Sequence, residues 1–447
     1  MPRQRPYRIG TGAGFSSDRL DPAIDLVKRG QLDTIVFECV GERTLAFGHR
    51  DRQADPAAGY NRLLEARLRA MLPLCRAHGT RLITNMGVAN PQGAAEVALR
   101  VARDLDLTGL RIAVVTGDDV LGHITSDTHL AEPDCSVAEI GRIPIGANAY
   151  LGAQAIAPAL EAGAELIITG RVADPALFLA PLAHHFDWAD DDWPTLGGGT
   201  LVGHLLECAA QVTGGYFADP GYKDVANLAF VGFPLAEVDA GGNAVISKLP
   251  GTGGCVDTRT VKEQMLYEVH DPSAYLTPDV TADFSNARVS PAGDDRVQVS
   301  GASGTERPHD LKVTVAFDGG YLAEAEVSYA GSGAIERARV AGQIVEERLA
   351  TVHGIDAPCR TDLIGMNALH GIQPEQSSDI RDVRLRIALR SPDRQNADAV
   401  LWEVEALLCC GPAGGGGYRG RVDDSVLTYS TFLSRNKVRP SVEVRTV

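Results

Sequence analysis

The segment ELIITGRVADPAL, residues 165–177, carries the pattern that decides the fold class. Glu165 to Thr169 is a short apolar run of strand length, and a polar cluster, TGRVAD, follows at its C-terminal end. The same arrangement recurs upstream. Tyr7 to Ile9 is followed by GTGAGFSSD, Thr34 to Phe37 by ECVGE, Arg81 to Thr84 by TNMGVANPQG and Arg111 to Thr116 by TGDD. Helical patterns near 22–29, 61–77, 92–105 and 151–162 separate these strands. Strand alternating with helix predicts β-α units and a mainly parallel sheet. In such a sheet the ligand crevice lies outside the carboxyl ends of the strands, so the five polar clusters converge on one mouth.

The pattern changes after about residue 220. Val231 to Val238 and Asn243 to Lys248 flank Asp239-Ala240-Gly241-Gly242, and Leu311 to Phe317 and Tyr321 to Tyr329 flank Asp318-Gly319-Gly320. Both read as hairpins. A helix over Ala334 to Ala350, with Val340, Ile344, Val345 and Leu349 on one face, is expected to cover the antiparallel sheet. A strand near 382–389 and a helix near 394–408 continue that style. The expected fold is therefore α/β: a parallel-sheet domain over 1–220, then an α+β domain with antiparallel hairpins over 221–447. Two glycine-rich pieces, Pro250 to Gly254 and Pro412 to Gly417, are either loops that let backbone approach a ligand or plain turns.

A chain of 447 residues with 44% hydrophobic content can bury a large core. Its net charge of -16 provides no basic stripe for a nucleic acid, and no run of about 18 apolar residues suggests a membrane span. The N-terminus enters a strand without an apolar signal core, so a cytoplasmic location is expected. The eight cysteines form no C-x-x-C pair and read as reduced thiols, with Cys409 and Cys410 ending an apolar run as core packing.

GHLLECAAQVTGG, from Gly203 to Gly215, reads as a helix with a single polar stripe. His204, Glu207, Cys208 and Gln211 fall within an arc of about 100°. Apolar residues cover the rest of the circumference, and a buried unpaired ionisable group costs several kcal/mol, so such a stripe faces a cleft, a ligand or a partner charge. A His204–Glu207 core network is the plainer alternative. Elsewhere, Gly10, Gly12 and Gly14 with Glu38 suggest a dinucleotide fingerprint, but the spacing is G-x-G-x-G and Pro22 starts the helix too late. Arg171 follows a buried strand and a glycine, as a fork for a substrate carboxylate or as an ion pair with Asp174. Asp118 and Asp119 read equally well as capping residues. No metal site is assigned, although the carboxylates with His204 would accept a divalent cation.

These motifs resemble, in order, the acyclic terpene utilisation protein AtuA family. The strings are GTGAGF from Gly10, TNMGVANPQG from Thr84, GDD from Gly117, ANAYLG from Ala147, TGRVADPAL from Thr169, GHLLECAAQVTGG from Gly203, KLPGTGG from Lys248, YLTPDVTADF from Tyr275 and GPAGGGG from Gly411. The resemblance implies a bacterial catabolic protein tied to the breakdown of acyclic terpenes through branched acyl-CoA thioesters. It also implies a small ferredoxin-like domain, expected here as a separate partner subunit, and the chain itself is expected to form a homo-oligomer.

The resemblance supplies no mechanism, so the chemistry rests on residue types. Glu42, Glu207, a histidine, an arginine fork and several asparagines suit the addition or elimination of water beside a carboxylate or thioester carbonyl. His204 and Glu207 form the expected acid-base pair. Arg171 and Lys248 then hold a substrate carboxylate or phosphate, Asn85, Asn148, Tyr150 and the amides of Gly12, Gly14 and Gly253 stabilise the enolate, and Asn90, Asp118, Asp174 and Gln211 complete the expected substrate-binding set. Two alternatives stay open: acyl transfer or thioester hydrolysis by a nucleophilic Cys208, and a non-catalytic acyl-binding or scaffold subunit.

Overall fold

The computed structural model describes residues 5–369 and 382–447. The chain divides into two compact units, one running to Ala316 and completed by Thr428–Val447, the other Phe317–Leu427. The expected division near residue 220 is not where the contacts part. The hairpin beyond that point joins the sheet of the first unit.

The first unit is mixed α/β. Its early elements are β1 (Tyr7–Ala13), α1 (Asp21–Arg29), β2 (Thr34–Phe37), α2 (Glu42–Ala54), α3 (Leu64–His78), β3 (Arg81–Thr84), α4 (Pro91–Asp104) and β4 (Arg111–Thr116). β1, β2, β3, the strand Leu166–Thr169 and β4 lie side by side in that order, all parallel. Their residues are nearly all buried, as expected of strands covered on both faces. From β3 the chain skips one position to lay down β4, and Leu166–Thr169 later fills the gap. Such a reversal in strand order marks a crevice beside the strand ends. Antiparallel strands extend both edges. Pro234–Val238 and Ala244–Lys248 are added beside β1, and Ser441–Thr446 beside β4.

Local sequence explains the helices. Pro22 and Pro91 stand at the first helical positions, where a missing N–H costs nothing, and Asn90 caps α4 by accepting the Gly93 N–H at 2.9 Å. Gly79 ends α3 in the left-handed region. α2 escapes sequence reading because it is mostly polar and has no clear apolar stripe.

The helix Trp193–Glu207 is buried on every side from Leu196 onward. Gly197 lets it meet the backbone of Ser303, since a Cβ there would lie 1.9 Å from the Ser303 carbonyl oxygen. The helix stops at Glu207, earlier than the Gly215 expected. Ala209 takes a φ of +45° and a short 3-10 turn, Ala209–Gln211, follows. Gly14 presses on this break: a Cβ there would lie 2.4 Å from the Cys208 carbonyl carbon. The Thr11 hydroxyl donates to the Leu206 carbonyl at 2.9 Å. Cys208 and Gln211 therefore do not continue the helical face of His204 and Glu207.

In the second unit Tyr321–Ala330 pairs antiparallel with Asp382–Ser391, which pairs with Arg360–Ile364. The helices Ala334–Thr351 and Arg394–Cys410 share a core with these strands. Asp318-Gly319-Gly320 does not reverse the chain. Asp310–Ala330 is one strand, with the Asp318 carboxylate accepting the Gly320 N–H at 2.8 Å and Gly320 at a φ of +74°. Val340 is exposed rather than packed, and Cys409 and Cys410 are exposed at a helix end rather than in the core. All eight cysteines are free thiols. Among the described residues no helix is long and apolar enough to cross a membrane.

Candidate functional site

The strand-end clusters build one buried hydrogen-bonded network. Glu38, just after β2, turns its carboxylate back to accept the Val40 N–H at 2.8 Å and the Asn85 side-chain amide at 3.0 Å. Asn85, just after β3, accepts the Cys39 N–H at 2.7 Å and so ties the two strand ends together. Beyond β4, Asp118 accepts the Arg171 N–H and the Asn148 amide, both at 2.8 Å. His49 of α2 meets the other end of the Asn148 amide at 2.5 Å.

Arg171 is the hub. It is fully buried, donates to the carbonyls of Val172 and Val40, and pairs with Asp174. Its guanidinium lies 4.2 Å from the centre of the Tyr150 ring. The Tyr150 hydroxyl donates to Glu42 at 2.6 Å, and Lys312 reaches the same oxygen at 3.1 Å. Burial works against ionisation of Glu42, but these donors outweigh it and hold its carboxyl down at about 2. Glu42 is thus a fixed anion. Burial also disfavours the charge on Arg171, yet Asp174, Tyr150, Glu38 and Glu42 together raise its pKa.

His204 and Glu207 sit at the end of the buried helix, with Nδ1 and Oε1 2.8 Å apart. The imidazole packs against Tyr275 and Phe284, with ring centres 5.2 and 6.0 Å away. Burial lowers the His204 pKa to about 4, against the pull of backbone carbonyls and Glu268. Burial raises that of Glu207 well above the carboxylate range, and the charges of Asp174 and Glu268 add to this while Arg171 opposes. Burial thus works against the charged form of each side chain. His204 Nε2 and Glu207 Oε2 are buried without a hydrogen-bond partner among the described residues. A buried polar atom left unpaired costs about 1–3 kcal/mol, so a water or a ligand that met these two would be stabilised here. Glu38 behaves like Glu207: burial first, then Asp174, push its carboxyl up to about 8.

The network gathers Glu42, Asn85, Asp118, Asn148, Tyr150, Arg171 and Asp174, and the mutual charge effects of Arg171, Asp174 and Glu207 join His204 and Glu207 to it. Other expected residues have different tasks. Asn90 caps α4 and donates to the carbonyls of Ala58 and Pro56. Lys248 pairs with Asp295 at 2.9 Å and donates to the Thr252 carbonyl at 3.0 Å. Gly12 and Gly253 are close-packing positions: a Cβ would lie 2.3 Å from the Phe37 ring and 2.0 Å from the Asn227 carbonyl oxygen. Gly10 and Gly12 lie within β1, not in a phosphate-binding turn. Gln211 lies in the turn beyond the helix.

The Cys208 thiol is pushed up by burial and by Glu207, opposite to what a nucleophile needs. Among the described residues no three His, Cys, Asp or Glu side chains gather as metal ligands would. His49, Lys312 and Glu38 were missed as site residues. Glu38 was visible as a strand-end acid, whereas the other two had no sequence signal.

A sequence model described as acyclic terpene utilisation family protein AtuA matches residues 7–444. No curated protein and no solved structure matches the chain.

Proposed function

The chain belongs to the acyclic terpene utilisation protein AtuA family, associated with acyclic terpene catabolism, and on that premise we propose that it adds or removes water beside the carbonyl of a branched acyl thioester or small carboxylate. The observation that carries this reading is the His204–Glu207 pair, two buried groups joined by one hydrogen bond, each with its outer atom unpaired and its charged form disfavoured by burial. With the Nδ1 proton donated to Oε1, the pair offers a bare Nε2 lone pair and an Oε2–H together. That is a base and an acid in one neutral unit.

In the elimination direction Nε2 takes the α-proton and Oε2–H protonates the departing hydroxyl, which leaves as water. The imidazolium and carboxylate that remain are neutralised when the Nδ1 proton moves to Oε1. Arg171 and the Asn85 and Asn148 amides supply positive potential and fixed dipoles for the negative charge that grows on the carbonyl oxygen. Retaining the unpaired atoms in a dry site keeps both pKa values displaced toward the neutral forms.

Turnover of branched 3-hydroxyacyl-CoA and enoyl-CoA thioesters, and of the matching free acids, by native protein and by Glu207→Gln tests the proposal. Loss of turnover by about 100-fold or more with binding retained supports it. Equal turnover by the variant, or no turnover of any of these by the native protein, contradicts it.

A further inference from the structure

The second unit holds an orphaned group of its own. Tyr329 is fully buried and its hydroxyl has no hydrogen-bond partner among the described residues. Directly over it lies the glycine-rich piece Pro412 to Gly417, which the site above does not use. A Cβ on Gly415 would stand 3.1 Å from the Tyr329 hydroxyl oxygen, tighter than an ordinary contact, so the loop packs closely over the phenol. Gly414 and Gly417 both take left-handed φ values, +76° and +66°. Glycine adopts this region of backbone without the strain that a Cβ would bring.

A cation stands beside it. Arg337 lies 5.8 Å from the centre of the Tyr329 ring and donates to the carbonyls of Ala413 and Ala330 at 2.6 Å, with longer bonds to Ser332 and Gly333. These acceptors are all neutral, and no carboxylate pairs with Arg337 among the described residues, so its positive charge is not cancelled. Burial raises the Tyr329 pKa, against the pull of Arg337, and the phenol stays a donor.

We propose that a phosphate group binds beside this loop, with the Tyr329 hydroxyl and the uncancelled charge of Arg337 as its recognition elements. A phosphate offers several acceptor oxygens to donors arriving from different directions, which this set requires. The run of glycines gives the cover the freedom to move aside and admit the ligand to the hydroxyl. The site is separate from the acid-base pair, so its success or failure does not depend on the reaction proposed above.

The test is hydrogen exchange on the full chain with inorganic phosphate, with coenzyme A, and with chloride at matched ionic strength, together with titration of native protein and Tyr329→Phe. Phosphate or coenzyme A, but not chloride, should slow exchange over 411–420, and Tyr329→Phe should weaken that binding about tenfold or more while the unliganded protein melts no lower than native. Protection by coenzyme A alone identifies a phosphorylated carrier as the source; protection by both identifies the phosphate group itself. The proposal is overturned if neither ligand changes exchange in this segment, if the variant binds as native does, or if the variant is destabilised without ligand, which means the hydroxyl is bonded within the fold.

Discussion

His204 and Glu207 share a hydrogen bond in a place where burial works against either ion. On the proposed mechanism the acid limb of activity is set by His204, whose buried imidazole gains a proton only near pH 4, and the alkaline limb by Glu207, which must keep its proton to act as acid. A pH profile of kcat/KM should therefore stay level down to about pH 5 instead of falling from the ordinary imidazole range near 6.5. A fall centred near 6.5 contradicts a buried neutral His204. Glu38 makes a separate prediction about stability. It keeps its proton up to about pH 8 in the fold and loses it near 4.5 when unfolded, so the folded state binds more protons across that window. The stability it contributes is complete below the lower value and is lost as pH rises through the upper one. Replacing Glu38 by Gln removes this slope. Unfolding in denaturant should show the variant gaining on native protein as pH rises through that window, and a constant difference refutes the assignment.

At the scale of elements, the position of His204 and Glu207 depends on where the helix Trp193–Glu207 stops and what it rests on. Gly14 supports that end: a Cβ there would overlap the backbone of residues 207–209, and backbone cannot step aside as a side chain can. Gly14→Ala should lower stability by about 1–3 kcal/mol and reduce turnover, while Gly122→Ala, with open space around it, should do neither. Thermal melting of the two variants decides this. The parallel strands were legible because each is a short apolar run ended by a polar cluster, and Arg171, Asp118 and Asn85, which the structure joins in one network, stood out by that position alone. The helix end was not legible. Residues 208–212 are nearly as apolar as those before them, and Gly14, whose lack of a side chain lets the chain just after β1 pack against the break, is distant in sequence. Likewise Asp318-Gly319-Gly320 has the composition of a turn but only bends a strand whose pairing with Asp382–Ser391 carries it onward. Lys248 looked like a substrate contact because its partner, Asp295, lies on a turn with no mark in the sequence.

For the whole molecule, the division of the chain follows contacts rather than sequence order. The last strand, Ser441–Thr446, belongs to the first unit, where it closes the edge of β4. Truncation after Arg439 should expose that edge and lower the stability of the first unit, while hydrogen exchange over Phe317–Leu427 stays as in the full chain. Parallel loss of protection in both units contradicts this prediction. The central claim is that the first unit carries a neutral His204–Glu207 pair that moves the α-proton of an acyl thioester or carboxylate. Proton magnetic resonance of a branched enoyl-CoA or 3-hydroxyacyl-CoA incubated with the protein in deuterated water tests it most directly. The account predicts α-deuterium incorporation with hydration or dehydration, slowed about 100-fold or more in both Glu207→Gln and His204→Asn. Absence of exchange with the native protein, or exchange at the native rate in either variant, contradicts it.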